Sequence, residues 1–120
     1  MNATPARRFR WDELPKDAPM ALLERRRVIG ERAMISHVTL FKGCFVPTHS
    51  HANEQITCVI SGRLQFQIGE GENPQTIIVS LGEVIHLPSG VPHSAEALVD
   101  TVVLDVFSPP SETTGIDGRA

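Results

Sequence analysis

Hydrophobic and polar residues alternate one for one in several short stretches of this chain, and a period of two marks a β-strand with one face buried. Leu64, Phe66 and Ile68 interleave with Arg63, Gln65 and Gln67, as in an antiparallel strand that turns one face to a core and the other to water. Near the C-terminus Val102, Leu104 and Val106 form one face of a strand, and Thr101, Val103, Asp105 and Phe107 form the other. Residues 35–41, 56–60, 76–79 and 84–87 are further β-rich runs, separated by Gly43, Gly62, Gly69, Gly71, Gly82 and Gly90. Residues 22–29 suit either state, because Leu22, Leu23, Glu24 and three arginines are good helix formers. A strand is predicted there, since Gly30-Glu31 then forms a hairpin turn into the next strand. Strands recurring about every 8 to 12 residues, with no internal repeat, predict an all-β sandwich or barrel.

The two ends lack this pattern. Residues 1–20 carry Pro5, Pro15 and Pro19 among charged side chains with neither period, and read as an N-terminal arm. Phe9 and Trp11 are its large apolar groups and are expected to dock on the domain or on a neighbouring subunit. Residues 111–120, after Pro109 and Pro110, are short and polar and read as a tail, which leaves one barrel domain over 21–110. A length of 120 residues fits one core, and 41% hydrophobic with 21% charged residues are globular values. A net charge of −3 offers no basic face for nucleic acid. No run reaches the roughly 18 to 20 apolar residues of a membrane span, and the first twenty residues lack a signal-peptide core, so a soluble cytoplasmic protein is expected. Two cysteines, Cys44 and Cys58, make no disulfide framework and are expected to be reduced.

Candidate chemistry begins at His49 and His51. Residues i and i+2 of an extended chain point to the same side, so the two imidazoles can converge on one ion. Gly43 lies six positions before His49, Gln55 four after His51 and Gly62 seven after Gln55, while Gly82, Pro88, Gly90 and His93 follow farther on.

These residues carry a family resemblance. The stretch Gly43-Cys44-Phe45-Val46-Pro47-Thr48-His49-Ser50-His51-Ala52-Asn53-Glu54-Gln55, ending at Gly62, resembles the first cupin motif. Gly82-Glu83-Val84-Ile85-His86-Leu87-Pro88-Ser89-Gly90-Val91-Pro92-His93 resembles the second, and the likeness covers roughly residues 33–108. It implies a double-stranded β-helix, the RmlC-like jelly-roll barrel, in agreement with the strand pattern. It also implies one divalent transition metal per chain (Zn, Ni, Fe, Mn or Co), held by two histidines, a carboxylate and a third histidine, which map onto His49, His51, the position of Gln55, and His93. Gln55 departs from the glutamate most cupins carry. Glu54 is adjacent, but on a strand it faces away from the side Gln55 faces, and the spacing to Gly62 also selects Gln55. Three neutral imidazoles and an amide leave the ion its full dipositive charge and make it a harder Lewis acid.

Within cupins the chain resembles the small pectin-degradation, KdgF-type proteins that linearise unsaturated uronic acids. The likeness lies in His49-Ser50-His51, Asn53-Glu54-Gln55-Ile56-Thr57, Pro92-His93-Ser94-Ala95 and Leu104-Asp105-Val106-Phe107-Ser108-Pro109-Pro110. It implies that Asp105 and Phe107 face the metal cavity as catalytic residues. Independently, a carboxylate sharing a strand face with Val103 and Phe107 must be paired, metal-linked or reactive, unless it is held in a structural hydrogen bond or lies on an open face. That type carries an arginine six positions after the aspartate, where this chain has Ser111. Arg63 or one of Arg25, Arg26 and Arg27 is the candidate substitute as a clamp on a uronate carboxylate, but a solvated strand face is the leading reading for these arginines. His86 and His37 are read as non-ligands, and Cys58, three residues from Gln55, faces away from it. The leading expectation is a metal-assisted isomerase or lyase acting on a small sugar acid or hydroxy-carbonyl compound. A metal-dependent dioxygenase is second, and a small-ligand-binding cupin without enzymatic activity is third. The arm and an open sheet edge suggest a homodimer.

Overall fold

The computed structural model describes residues 5–111. After one 3₁₀ turn, Trp11–Glu13, the chain forms ten strands. They are β1 (Asp17–Met20), β2 (Leu23–Ile29), β3 (Met34–Leu40), β4 (Phe45–His49), β5 (Glu54–Ser61), β6 (Arg63–Ile68), β7 (Gln75–Ser80), β8 (Val84–Leu87), β9 (His93–Ala97) and β10 (Thr101–Ser108). Two antiparallel sheets result, ordered β1-β2-β3-β10-β5-β8 and β4-β9-β6-β7. Their inner faces close over a core that includes Leu23, Val38, Val59, Leu64, Phe66 and Val103.

The alternation read from the sequence is realised strand by strand. Leu64 and Phe66 are buried on β6, and on β10 the Thr101, Val103, Asp105, Phe107 face is the inward one. β10 lies between β3 and β5, so each of its inward residues has fixed neighbours on both sides. Asp105 stands between Ser36 and Thr57, and Phe107 between Met34 and Gln55. β2 is a strand despite its helix formers, because its backbone pairs with both β1 and β3 and its inward Leu23 joins the core. The turn after it closes when the Gly30 amide donates to the Ala33 carbonyl at 2.8 Å.

The N-terminal arm is the point of correction. The absence of periodicity before residue 20 suggested no element there, yet β1 adds an antiparallel strand to the sheet edge. Four residues are too short to display a period, and one of them is Pro19. Trp11 is half-buried and docks as expected, its ring centroid 5.4 Å from that of His37 and its carbonyl accepting from Arg26 Nη1 at 2.7 Å. Phe9 remains exposed. Strands β4 and β9 also had no clear signal. Pro47 interrupts β4 but costs no ladder bond because β4 is a sheet edge, and β9 reads His-Ser-Ala-Glu-Ala, without a β-branched residue. Residues 112–120 of the tail lie outside the described residues. Among the described residues no helix is long and apolar enough to cross a membrane.

Gly62, between β5 and β6, has φ +90°, and a Cβ built there would strike the Asp100 carbonyl oxygen and lie 2.7 Å from Thr101 Cα. Two of the three nearest atoms belong to the backbone that leads into β10 and cannot step aside, and the third is Thr101 Oγ1 at 2.5 Å. Gly69 has φ +99° but open space around it. We expect Gly62→Ala to lower stability by about 3 kcal/mol and Gly69→Ala by only about 1 kcal/mol in urea titrations, since the second carries conformational strain without the clash.

Candidate metal centre

Two strands and one loop deliver the imidazoles. His49 closes β4 and is the register partner of His93, which opens β9, so two histidines meet across one strand pair. His51 follows two residues on, in the loop toward β5. The ring centroids are 4.4 Å (His49–His93), 5.2 Å (His51–His93) and 5.5 Å (His49–His51) apart. The three ligand atoms lie within 4.8 Å of one another.

Backbone carbonyls set the tautomer of each ring. His49 Nδ1 lies 2.8 Å from the Pro47 carbonyl, His51 Nδ1 3.0 Å from that of Asn53, and His93 Nδ1 3.0 Å from that of Val91. A carbonyl only accepts, so Nδ1 carries the hydrogen in all three and Nε2 keeps its lone pair for a metal. Burial also drives the His93 pKa down to about 4, with the neighbouring His49 and His51 adding to the effect. The His93 imidazole is therefore neutral across the physiological range.

Gln55 completes the convergence. Its Oε1 lies 3.1 Å from His51 Nε2. Both atoms are acceptors, because the hydrogen of His51 sits on Nδ1. Two lone pairs facing each other at that distance repel in isolation, yet about 3 Å is the separation of two ligand atoms bound at right angles to one ion at about 2.1 Å. The reverse amide orientation is disfavoured. Gln55 Nε2 donates to Thr57 Oγ1 at 2.9 Å and lies 3.5 Å from Asp105 Oδ1, so a flip would turn its oxygen on the carboxylate.

Asp105 sits behind this amide, buried, and accepts from the Thr57 hydroxyl at 2.5 Å. Burial pushes its pKa up to about 6, held from going higher by the hydrogen bonds of Thr57 and Gln55 and by the charge of Arg25. Phe107, two residues on, packs its ring edge-on 5.8 Å from the His51 ring. His49, Gln55, His93, Asp105 and Phe107 all line one internal cavity of about 40 Å³, with aliphatic walls such as Leu23 and Val38. The residues singled out in the sequence thus come together.

The non-ligands separate from it. Glu54 points outward and pairs with His86 at 2.6 Å, both more than half exposed, while Gln55 is buried. His37 lies against Trp11, and Cys44 and Cys58 are free thiols, with burial raising the pKa of Cys44. One expectation is overturned. Arg25 is not on a solvated face: its side chain is 2% exposed and bonds Asp17 at 2.8 and 3.2 Å, which holds the Asp17 carboxyl below its ordinary pKa. Arg25 alternates with Leu23, and that period of two was the available signal. Motif reading assigned no role to Thr57 or to Ser36, whose buried hydroxyl has no hydrogen-bond partner among the described residues.

Comparison with known proteins agrees with the geometry. The Cupin domain family profile matches residues 36–107, more than half of the chain. The chain belongs to the cupin family. Among solved structures this cupin is similar to KdgF from Halomonas sp., at 25% identity and a TM-score of 0.77, over 90% of this chain and 97% of that one. An RmlC-like cupin from Shewanella frigidimarina matches at 20% identity and a TM-score of 0.76, over 84% and 88% of the two chains. Oxalate decarboxylase from Bacillus subtilis shares the fold at 22% identity and a TM-score of 0.79, but the match covers 94% of this cupin and only 32% of that chain. No curated protein matches the sequence.

Two buried groups give opposite pH dependences. Asp105 has a folded pKa of about 6, above its ordinary value of 3.8, so the folded state holds more protons and stability falls as pH rises between those values. His93 has a folded pKa of about 4, below its ordinary 6.5, so stability rises over that interval. In metal-free protein the two largely cancel. We expect Asp105→Asn to unmask a gain of roughly 2 kcal/mol between pH 4 and pH 7, checked by chemical denaturation across that range.

Proposed function

We propose that this cupin is a metal-assisted isomerase or lyase acting on a small sugar acid or hydroxy-carbonyl compound. The observation that carries the reading is the facing pair of acceptors, His51 Nε2 and Gln55 Oε1 at 3.1 Å, with His49 and His93 beside them and the Asp105 carboxylate behind. A divalent transition ion held by His49, His51, Gln55 and His93 would supply Lewis acidity toward a substrate oxygen. Similarity to KdgF over nearly the whole of both chains supports the substrate class.

The protein's own residues do the rest. Asp105, with a pKa of about 6, is poised to take or return a proton near neutral pH, which is where a general acid or base works best. Phe107 walls the cavity beside His51 and keeps water from the reacting group. A space of about 40 Å³ is far below the roughly 300 Å³ of common ligand pockets, which argues against a container function.

Elemental analysis of untagged protein is expected to find about one transition ion per chain, lost in His93→Ala. With an unsaturated uronate, turnover is followed as loss of the conjugated-alkene absorbance. Asp105→Asn is expected to lower kcat by about 10²- to 10⁴-fold while retaining the metal. Metal-loaded protein that leaves such acids untouched and instead consumes oxygen would move the reading to a dioxygenase.

We place the contact of the proposed homodimer on the outer face of the six-stranded sheet. Ile56 and Val84 are exposed there, and Ile56 pairs with Val106 and Cys58 with Leu104, which makes one apolar surface. Sedimentation equilibrium is expected to give twice the 13.1 kDa chain mass, and Ile56→Glu to give monomer.

A further inference from the structure

The buried triad behind the centre explains why a glutamine stands among the metal-binding side chains. We propose that Thr57 is a positioning residue: it turns the Gln55 amide so that Oε1 faces the metal, and it makes glutamate unfit at position 55 for as long as residue 105 is aspartate. The inference rests on Gln55 being a ligand, as read above, and adds what selects and orients it.

A hydroxyl has one hydrogen to give. Thr57 is 0% exposed, so its Oγ1 has no bulk water to bond, and it spends that hydrogen on Asp105 Oδ1 at 2.5 Å. An ionised carboxylate only accepts, so the direction of this bond is forced. Thr57 Oγ1 then has lone pairs alone to offer residue 55, which must bring an N–H. Gln55 brings one at 2.9 Å, and its Nε2 also lies 3.5 Å from Asp105. With the amino end of the amide committed to Thr57 and Asp105, the oxygen end is left pointing at His51 Nε2. An ionised glutamate in the same place has no hydrogen, and would set a second carboxylate against Asp105 and an oxygen against the Thr57 lone pairs.

Local structure makes the arrangement unavoidable. Gln55 and Thr57 are two apart on β5 and share its inner face, and Thr57 is the direct register partner of Asp105 on β10. The same chain of donors leads negative charge from Asp105 through the amide toward its oxygen, which makes Gln55 a better ligand than an isolated amide.

The test uses Zn²⁺ alone, titrated into apo protein in competition with a chromophoric chelator. We expect Gln55→Ala and Thr57→Val each to weaken Zn²⁺ binding by about 10-fold or more, and Thr57→Ser to stay within about 3-fold of the parent because it restores the hydroxyl. If Gln55→Ala weakens binding and Thr57→Val does not, Thr57 has no positioning role and the ligand reading survives. If Gln55→Ala leaves affinity unchanged, the ligand reading itself fails and this inference with it. Thr57→Ser binding as weakly as Thr57→Val would assign the effect to side-chain shape and overturn the proposal. A second measurement needs no metal. Gln55→Glu is expected to lower the melting temperature of apo protein at pH 8 by about 5 °C or more. Adding Asp105→Asn should recover at least half of that loss. The asparagine amide then donates to the Thr57 hydroxyl, whose own hydrogen is freed for the glutamate, so every donor in the chain reverses. No recovery would overturn the proposal.

Discussion

The pairing of β10 with β5 is the constraint on which the centre depends. One antiparallel register sets Phe107 against Gln55 and Asp105 against Thr57, and the alternation of both strands turns all four side chains inward. A slip of one residue would send this set to the outer face and bring Val106, Ile56, Leu104 and Cys58 into the barrel. The register is secured by residues with no chemistry to perform. Val103 and Val59 are paired in the core next to the polar rows, and Gly62 lets β5 turn into β6 where a Cβ would strike the start of β10. Packing at one end of the strand pair therefore positions hydrogen bonds at the other.

Inside that frame the buried polar groups around the centre have their directions assigned. Three imidazoles give their Nδ1 hydrogens to carbonyls two residues away, which needs only local chain geometry around His49, His51 and His93. The Gln55 amide and the Thr57 hydroxyl give theirs toward Asp105. What is left unspent is a set of lone pairs aimed at one volume, and a divalent cation is the partner that satisfies them together. Burial then does two opposite things around one cavity: it brings the His93 pKa down to about 4 and lifts that of Asp105 to about 6, because the absence of water disfavours the charged form of each.

Much of this was legible in the sequence, and the boundary is physical. Period-two alternation marked β6 and β10 and the inward face of the latter. The spacing of Gly43, His49, His51, Gln55, Gly62, Gly82, Gly90 and His93 pointed to the cupin motifs, a likeness the family match over residues 36–107 bears out. Elements that owe their state to neighbours were not legible. β1 exists because β2 offers a free edge, and β9 because β4 and β6 flank it on either side. Arg25 was misread because a run of three arginines looks solvated until alternation and the partner Asp17 are both in view.

The sequence by itself determined the fold class, the inward faces of the central strands and the residues that meet at the centre, because side-chain period and motif spacing are local properties. Only the tertiary structure decided the hydrogen bonds behind the histidines: which end of Gln55 faces His51, and that Thr57 stands between Gln55 and Asp105. Those choices follow from which donors and acceptors lie across the strand pair, and residues 48 to 50 positions apart in the chain become neighbours only when the barrel closes.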